Sequence, residues 1–216
     1  VDLIAISPGV PVAQPVVQQA IQRGIPLVGD MVLFIWALQR SDLPQPKVLA
    51  ITGSNGKTTV TAMVGAMLKS AGWDVEVAGN IGPAVLNALM QRIDAGTWPH
   101  AWVLEVSSFQ LETTPHLNAD VATVLNVSED HLDRYTGMQD YTSAKAKIFT
   151  HELNTGIQVL NRDDAIVRSM ALPGRQKITF GIDEPRTQTD FGIVNDGEDL
   201  WLVEGDLQLM KTTELI

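Results

Sequence analysis

The chain has 216 residues, 45% of them apolar, no cysteine and a formal net charge of −10. That composition is ample for a packed core and excludes disorder. It also excludes disulfides and thiolate metal sites, which suits an intracellular enzyme. The acidic balance argues against nucleic acid, whose backbone needs clustered Lys and Arg. No apolar run reaches the roughly 18 residues of a membrane span.

On a prior of about 150 residues per domain, the length fits one large domain or a domain plus part of another. Val1 to Ile6 reads as a strand already under way, with no initiating Met, and Leu215-Ile216 carries no terminating signal. Both ends are therefore expected to be cuts in a longer protein. Ser7-Pro8-Gly9 ends the first strand in a turn. Val16, Val17, Ala20 and Ile21 make a short amphipathic helix closed by Gly24, and Ile25 to Val28 a second small strand. Asp30 is the candidate N-cap of an apolar helix, Met31 to Leu38. That helix is apolar nearly all round, so other parts of the protein must cover it. Residues 1–40 cannot hold a core alone. They read as the C-terminal part of a preceding Rossmann-like domain, joined by the linker 41–46 to a central domain, 47–216.

Val48 to Ile51 is an uncharged apolar run that predicts a buried strand, and Thr52-Gly-Ser-Asn-Gly-Lys-Thr-Thr59 follows it. Val60, Met63, Val64, Met67, Leu68 and Ala71 then recur at helical spacing, which predicts an amphipathic helix closed by Gly72. Strand, small-residue loop and a helix opening on Lys57-Thr58 make a phosphate cradle. Loop and helix N–H groups point at the anion, the dipole adds partial positive charge and Lys57 a whole one. Thr58 offers a hydroxyl to Mg²⁺. The longer P-loop pattern would need glycine where Ile51 stands, so this loop is a shorter variant. The plain alternative is a strand-to-helix turn with an exposed lysine.

Val75 to Ala78 is the next strand, ending in Gly79-Asn80-Ile81-Gly82, and Pro83 suits the first position of the helix through Val85, Leu86, Leu89 and Met90. Ala101 to Val106 reads as a buried strand carrying Glu105, and Val121 to Leu125 as another, ending at Asn126. Met138 to Thr150 is helical. Ile157 to Leu160 and Ile178 to Phe180 complete the parallel-type strands. Phe191 to Met210, with turns at Asp196-Gly197 and Glu204-Gly205, reads as short antiparallel strands. The alternation predicts an α/β fold with a doubly wound, mostly parallel sheet and a P-loop-type mononucleotide-binding central domain. Its site belongs at the strands' carboxyl ends.

The polar residues that carry chemistry do follow the apolar runs: Thr52 to Thr59, Asn80, Glu105-Val-Ser107-Ser108 and Asn126 to Asp133. Glu105 is costly to bury unpaired and wants a cation, either Mg²⁺ against nucleotide phosphates or a structural Arg or Lys. His131, among acidic neighbours, suits metal, substrate or proton transfer, against the alternative of a salt-bridged surface group. His100, His116 and His151 lack such context and are taken as surface residues. Lys145 shares the inward helix face of Tyr141, Ala144, Ile148 and Phe149, while Lys147 points the other way. Spacing leaves two readings of Lys145 level: a desolvated reactive amine, or a packed stem whose ammonium reaches water.

Thr52 to Thr59 resembles the ATP loop of the Mur ligases, ATP-dependent amino-acid-adding enzymes of peptidoglycan synthesis, which share it with folylpolyglutamate synthetase. Ser7-Pro-Gly9, Gly79 to Gly82, Leu104 to Glu112, Asn126 to Tyr135 and Tyr141 to Lys145 resemble the branch that joins D-glutamate to UDP-N-acetylmuramoyl-L-alanine. Together they span nearly the whole chain. The resemblance implies that Gly53, Ser54, Asn55, Gly56, Lys57, Thr58 and Thr59 hold ATP. It implies two Mg²⁺, one served by Thr58 and Glu105 and one by His131 and Lys145, the lysine carbamylated by CO₂. Asn80, Ser107 and His131 would face the muramoyl-alanine end, and Ser7, Pro8 and Gly9 the UDP end. The implied reaction turns the substrate's terminal carboxylate into an acyl phosphate, which the D-glutamate amine attacks. A monomeric cytoplasmic enzyme is implied. The family's third domain, with the D-glutamate site and part of the adenine site, falls outside these residues, so alone they are not expected to ligate. Two rivals are a folylpolyglutamate-type ligase and a phosphoryl-transfer ATPase without ligation.

Overall fold

Runs of branched apolar residues separated by helices fold here as a sheet buried largely on both faces. The structure, a computed structural model, describes residues 1–130 and 134–215. In chain order its elements are β1 (Ile4–Ala5), α1 (Pro15–Gln22), β2 (Leu27–Val28), α2 (Asp30–Arg40), β3 (Lys47–Thr52), α3 (Lys57–Ser70), β4 (Val75–Gly79) and α4 (Val85–Asp94). There follow β5 (Ala101–Glu105), α5 (Ser108–Glu112), β6 (Val121–Val124), α6 (Met138–Ala146), β7 (Ile157–Asn161) and α7 (Ala165–Ser169). The last strands are β8 (Lys177–Phe180), β9 (Phe191–Asn195), β10 (Leu200–Glu204) and β11 (Leu207–Lys211). Nine of these strands form one sheet in the order β11-β10-β9-β8-β7-β6-β3-β5-β4, parallel from β4 to β9 and antiparallel beyond. The α/β reading of the sequence is borne out, including the antiparallel close.

Right-handed crossovers decide which face each helix covers. The step from β3 to β4 runs one way along the sheet and lays α3 on one face, over Ile51, Val75, Ala101 and Val103. The steps from β4 onward to β8 run the other way. They place α4, α5, α6 and α7 on the opposite face, over Ala50, Trp102, Leu104, Val124 and Leu160. All the loops that follow parallel strands therefore open at one end of the sheet.

The N-terminal segment is smaller than its sequence suggests. Of the apolar run Val1 to Ile6 only Ile4 and Ala5 pair, in parallel with Leu27 and Val28. Helix α2 packs on the main core, with Phe34 edge-on to Trp102 at 5.0 Å between ring centroids. Asp30 is not its N-cap: Gly29 holds that position, and the Asp30 carboxylate accepts from Met31 N at 3.0 Å and from Gln110 Nε2 at 2.7 Å. A partner 80 residues away wins over the local cap. Pro83 likewise lies outside α4, whose N-cap is Ala84.

Helix α3 keeps half of its predicted apolar stripe: Val60, Val64 and Leu68 pack on the sheet, and the methionines do not. Met63 and Met67 are 55% and 67% exposed, whereas Thr61 and Gly65 are buried. Small residues win the inward positions because the helix lies close to the sheet: a Cβ on Gly65 would stand 2.5 Å from Val77 Cγ2. At the far edge, β8 and β9 share a single register pair, Phe180 with Phe191. The buried Arg162 reinforces this splice, donating to Phe191 O and Asp183 O at 2.6 Å each and pairing with the Asp183 carboxylate.

Gly65→Ala is expected to cost about 1–3 kcal/mol of stability, as overpacking does. Met67→Glu should stay within about 0.5 kcal/mol. Urea midpoints distinguish the two, and equal losses would mean that α3 is seated on its methionine face.

Candidate functional site

The carboxyl ends of β3, β4, β5 and β6 converge on the loop between β3 and α3. Gly56 takes a left-handed conformation (φ 80°) that lets the chain turn into α3. The first intrahelical bond runs from Val60 N to Gly56 O at 3.0 Å. The amides of residues 56–59 therefore point out of the helix end, as an anion site requires. The amides of Ser54 and Asn55 are engaged elsewhere: Ser54 N donates to Asn126 O at 3.0 Å and Asn55 N to Asn126 Oδ1 at 2.8 Å. Ser54 Oγ is a buried hub, bonded to Ser128 N at 3.0 Å, Ser128 O at 3.1 Å and the Tyr141 hydroxyl at 3.1 Å. The loop is thus clamped by the segment after β6. The candidate phosphate cradle keeps the helix-end amides of Gly56 to Thr59, and the Ser54 and Asn55 amides are already engaged.

Two lysines meet on one oxygen. Lys57 Nζ donates to Gly53 O at 2.9 Å and to Ser54 O at 3.0 Å, and Lys145 Nζ donates to the same Gly53 O at 2.9 Å. Lys145 is 2% exposed and stands 4.6 Å from the centroid of the Tyr141 ring. Burial, with the like charge of Lys57 behind it and Asp130 opposing, pulls its pKa down to about 7. The inward reading of this lysine holds, and its ammonium does not reach water.

Glu105 closes the other side. It is 1% exposed, accepts from Thr58 Oγ1 at 2.8 Å and from Asn80 Nδ2 at 2.8 Å, and among the described residues no Lys or Arg pairs with it. The close approach behind this contact depends on Gly79 (φ 119°), where a Cβ would lie 2.2 Å from Glu105 O. Among the described residues no group of three His, Cys, Asp or Glu could hold a metal ion by itself. A magnesium ion carried with phosphate oxygens needs only one or two carboxylates and keeps other positions for water. A buried carboxylate with neutral donors only, next to a hydroxyl at the phosphate end of α3, fits that demand.

Ser107 is the N-cap of α5: its Oγ accepts from Gln110 N at 3.2 Å, and Gln110 Oε1 accepts from Ser107 N at 3.0 Å. Ser7 and Gly9 are exposed, and Pro8 is half-buried in the same turn. His131 lies outside the described residues. His100 and His116 are exposed, whereas His151 is half-buried and its pKa is lowered chiefly by desolvation. Sequence reasoning put Asn126 and Ser128 among the polar residues after a strand and Tyr141 on an inward helix face, but did not find that they hold the loop, and it gave no role to Gln110. Ser-x-x-Gln before an apolar residue is a capping box, so Gln110 was readable; the loop's partners are 71 to 87 residues away and were not.

Residues 51–210 match the model of the Mur ligase middle domain. The UDP-N-acetylmuramoylalanine–D-glutamate ligase of Nitrosospira multiformis is 62% identical over 215 residues, covering 100% of this chain and 45% of the relative. The ligase of the same name from Nitrosomonas europaea is 59% identical over 216 residues, covering 100% and 46%. The chain thus spans about half the length of the curated relatives it matches. Among solved structures, a UDP-N-acetylmuramoyl-L-alanyl-D-glutamate–2,6-diaminopimelate ligase aligns with a TM-score of 0.65 at 21% identity, covering 97% of this chain and 52% of that one. The UDP-N-acetylmuramate-alanine ligase of Thermotoga maritima aligns at 0.55 and 22%, covering 97% and 46%. At those identities the structures speak for the fold.

The lowered pKa of Lys145 makes a stability prediction. Unfolded, the amine titrates at its ordinary value, so from about 7 to about 10.4 the unfolded chain holds the extra proton and stability rises with pH. Below that window the buried ammonium is a full penalty. Lys145→Met in CO₂-free buffer is therefore expected to raise Tm most below pH 7, with the gain shrinking toward pH 10. A gain independent of pH would exonerate the ammonium.

Proposed function

This chain belongs to the Mur ligase family, and we propose that its full-length protein joins D-glutamate to UDP-N-acetylmuramoyl-L-alanine with ATP, in peptidoglycan precursor synthesis. Residues 1–40 then belong to the UDP-binding domain, 41–46 to a linker and 47–216 to the central ATP-binding domain. Two relatives similar along the whole chain bear the name of that ligase. One observation carries the chemical reading: two lysine amines share the Gly53 carbonyl, a short loop away from a buried carboxylate that has no Lys or Arg partner among the described residues. Neither arrangement is at rest by itself, and a polyanion with its counter-cation completes both.

Each residue then has a task. The amides of Gly56 to Thr59 hold β- and γ-phosphate oxygens at the start of α3. Lys57 exchanges the carbonyls of Gly53 and Ser54 for a phosphate oxygen and neutralises charge on the phosphoryl group in transfer. Thr58 and Glu105 would hold Mg²⁺, whose part is to offset charge on the bridging phosphate oxygens. Asn80 fixes the Glu105 carboxylate from the side of the incoming substrate. The γ-phosphoryl passes to the substrate's terminal carboxylate to give an acyl phosphate; the D-glutamate amine attacks its carbonyl carbon, and phosphate leaves as the C–N bond forms. Ser7, Pro8 and Gly9 take the UDP end of the substrate, and Ser107 and His131 its muramoyl-alanine end.

Lys145 suits carbamylation because its amine is buried and stands beside a second lysine. The neutral amine adds to CO₂, one proton is released, and the carbamate anion gains Lys57 as countercharge. With His131 it would serve a second Mg²⁺. The work is that of a monomer in the cytoplasm, where ATP is supplied; among the described residues no helix is long and apolar enough to cross a membrane.

The full-length protein is expected to release phosphate from ATP only with UDP-N-acetylmuramoyl-L-alanine present, and to consume D-glutamate in step. Lys57→Ala and Glu105→Gln should each lower kcat by about a hundredfold or more. Turnover with a folate substrate, or ATP hydrolysis indifferent to the UDP substrate, would replace this reading by one of its rivals.

A further inference from the structure

Three stretches of sequence meet at one guanidinium that the chemistry above leaves unused. Arg134 pairs with Glu112, Nη2 to Oε2 at 2.9 Å and Nε to Oε1 at 3.3 Å. Its plane lies over the Phe109 ring, 4.0 Å from the centroid. The remaining donors reach across the chain: Nη1 to Pro8 O at 2.8 Å and Nη2 to Val10 O at 3.4 Å. The turn it grips is closed by Val10 N donating to Ser7 O at 2.9 Å. The carbonyl side of that turn is therefore occupied, and Ser7 and Gly9 are left exposed.

Phe109 and Glu112 both belong to α5, whose cap is Ser107 and whose Gln110 reaches Asp30. Arg134 thus ties the turn to the same short helix that carries the muramoyl-facing serine. A planar fork with five donors can hold a carboxylate, two carbonyls and a ring face together. A lysine, with three donors on one atom and no plane, cannot.

We propose that Arg134 is a positioning residue that sets the spacing between the UDP-end turn, Ser7 to Gly9, and the phosphate pocket. This rests on the reading of that turn as the nucleotide-sugar end of the site. Substrate bound at both ends feels that spacing, and ATP alone does not. The two substrates should therefore respond differently to its loss.

The test is steady-state ligation by the full-length protein, varying UDP-N-acetylmuramoyl-L-alanine and ATP separately, with Tm measured alongside. Arg134→Lys is expected to raise KM for the UDP substrate about tenfold, the scale of a lost charge-assisted hydrogen bond. KM for ATP should be unchanged. Glu112→Gln, which keeps the carbonyl bonds and loosens the carboxylate side, should shift the same KM by less, and it decides the matter if Arg134→Lys does not fold. An unaltered KM, or a fall in Tm with both KM values moving together, would overturn the proposal in favour of a structural strut. A parent enzyme that turns over no UDP-muramoyl substrate would overturn the functional reading and this inference with it. An active parent beside an unaffected variant would overturn this inference alone.

Discussion

The Gly53 carbonyl accepts from two ammonium groups, and the rest of the site is arranged around that crowding. Like charges at such range repel, and burial adds a penalty on the Lys145 ammonium. The structure answers in two ways. It depresses the Lys145 pKa to about 7, so near neutrality this amine is often uncharged. It also leaves Lys57 half-exposed on a flexible stem, free to turn to another acceptor. The loop backbone cannot relax to relieve the crowding, because Asn126, Ser128 and Tyr141 fasten it from the β6 side.

The handedness of parallel crossovers is what brings these groups together. With β3 central and its neighbours β5 and β6 parallel to it, Thr58, Glu105 and Asn126 are delivered to one rim from three adjacent strand ends. The Lys145 helix joins them from the face opposite α3. None of these side chains is near another in sequence: Thr58 and Glu105 are 47 residues apart, and Gly53 and Lys145 are 92. Four strand ends and two helices are therefore needed to make one pocket, which is why it stands or falls with the sheet.

How much of this was legible follows from the range of each interaction. The strand at Val48, the small-residue loop into α3, the buried Glu105 and the inward Lys145 obey rules that need only a few neighbouring residues, and the sequence states them. The cap at Ser107 is equally local, through Gln110. Helix α3 was readable as a helix but only in part as an oriented one, because two stripes compete on it. Val60, Val64 and Leu68 pack on the sheet as their stripe predicts, while Met63 and Met67 lose the inward place to Thr61 and Gly65, since close approach to Val77 excludes bulk. Asp30 was misjudged for the reverse reason: its type suggests a local cap, and a partner 80 residues away claims it instead.

The splice between β8 and β9 separates two parts of the sheet mechanically. A ladder of one residue pair transmits little, and the joint is held chiefly by the Arg162 side chain. The hairpin strands beyond it sit at the edge farthest from the β3–α3 loop, outside the crossovers that align the candidate site. A change of length or decoration at that edge therefore leaves the strand ends around Gly56, Glu105 and Asn126 in place, provided Arg162 is kept.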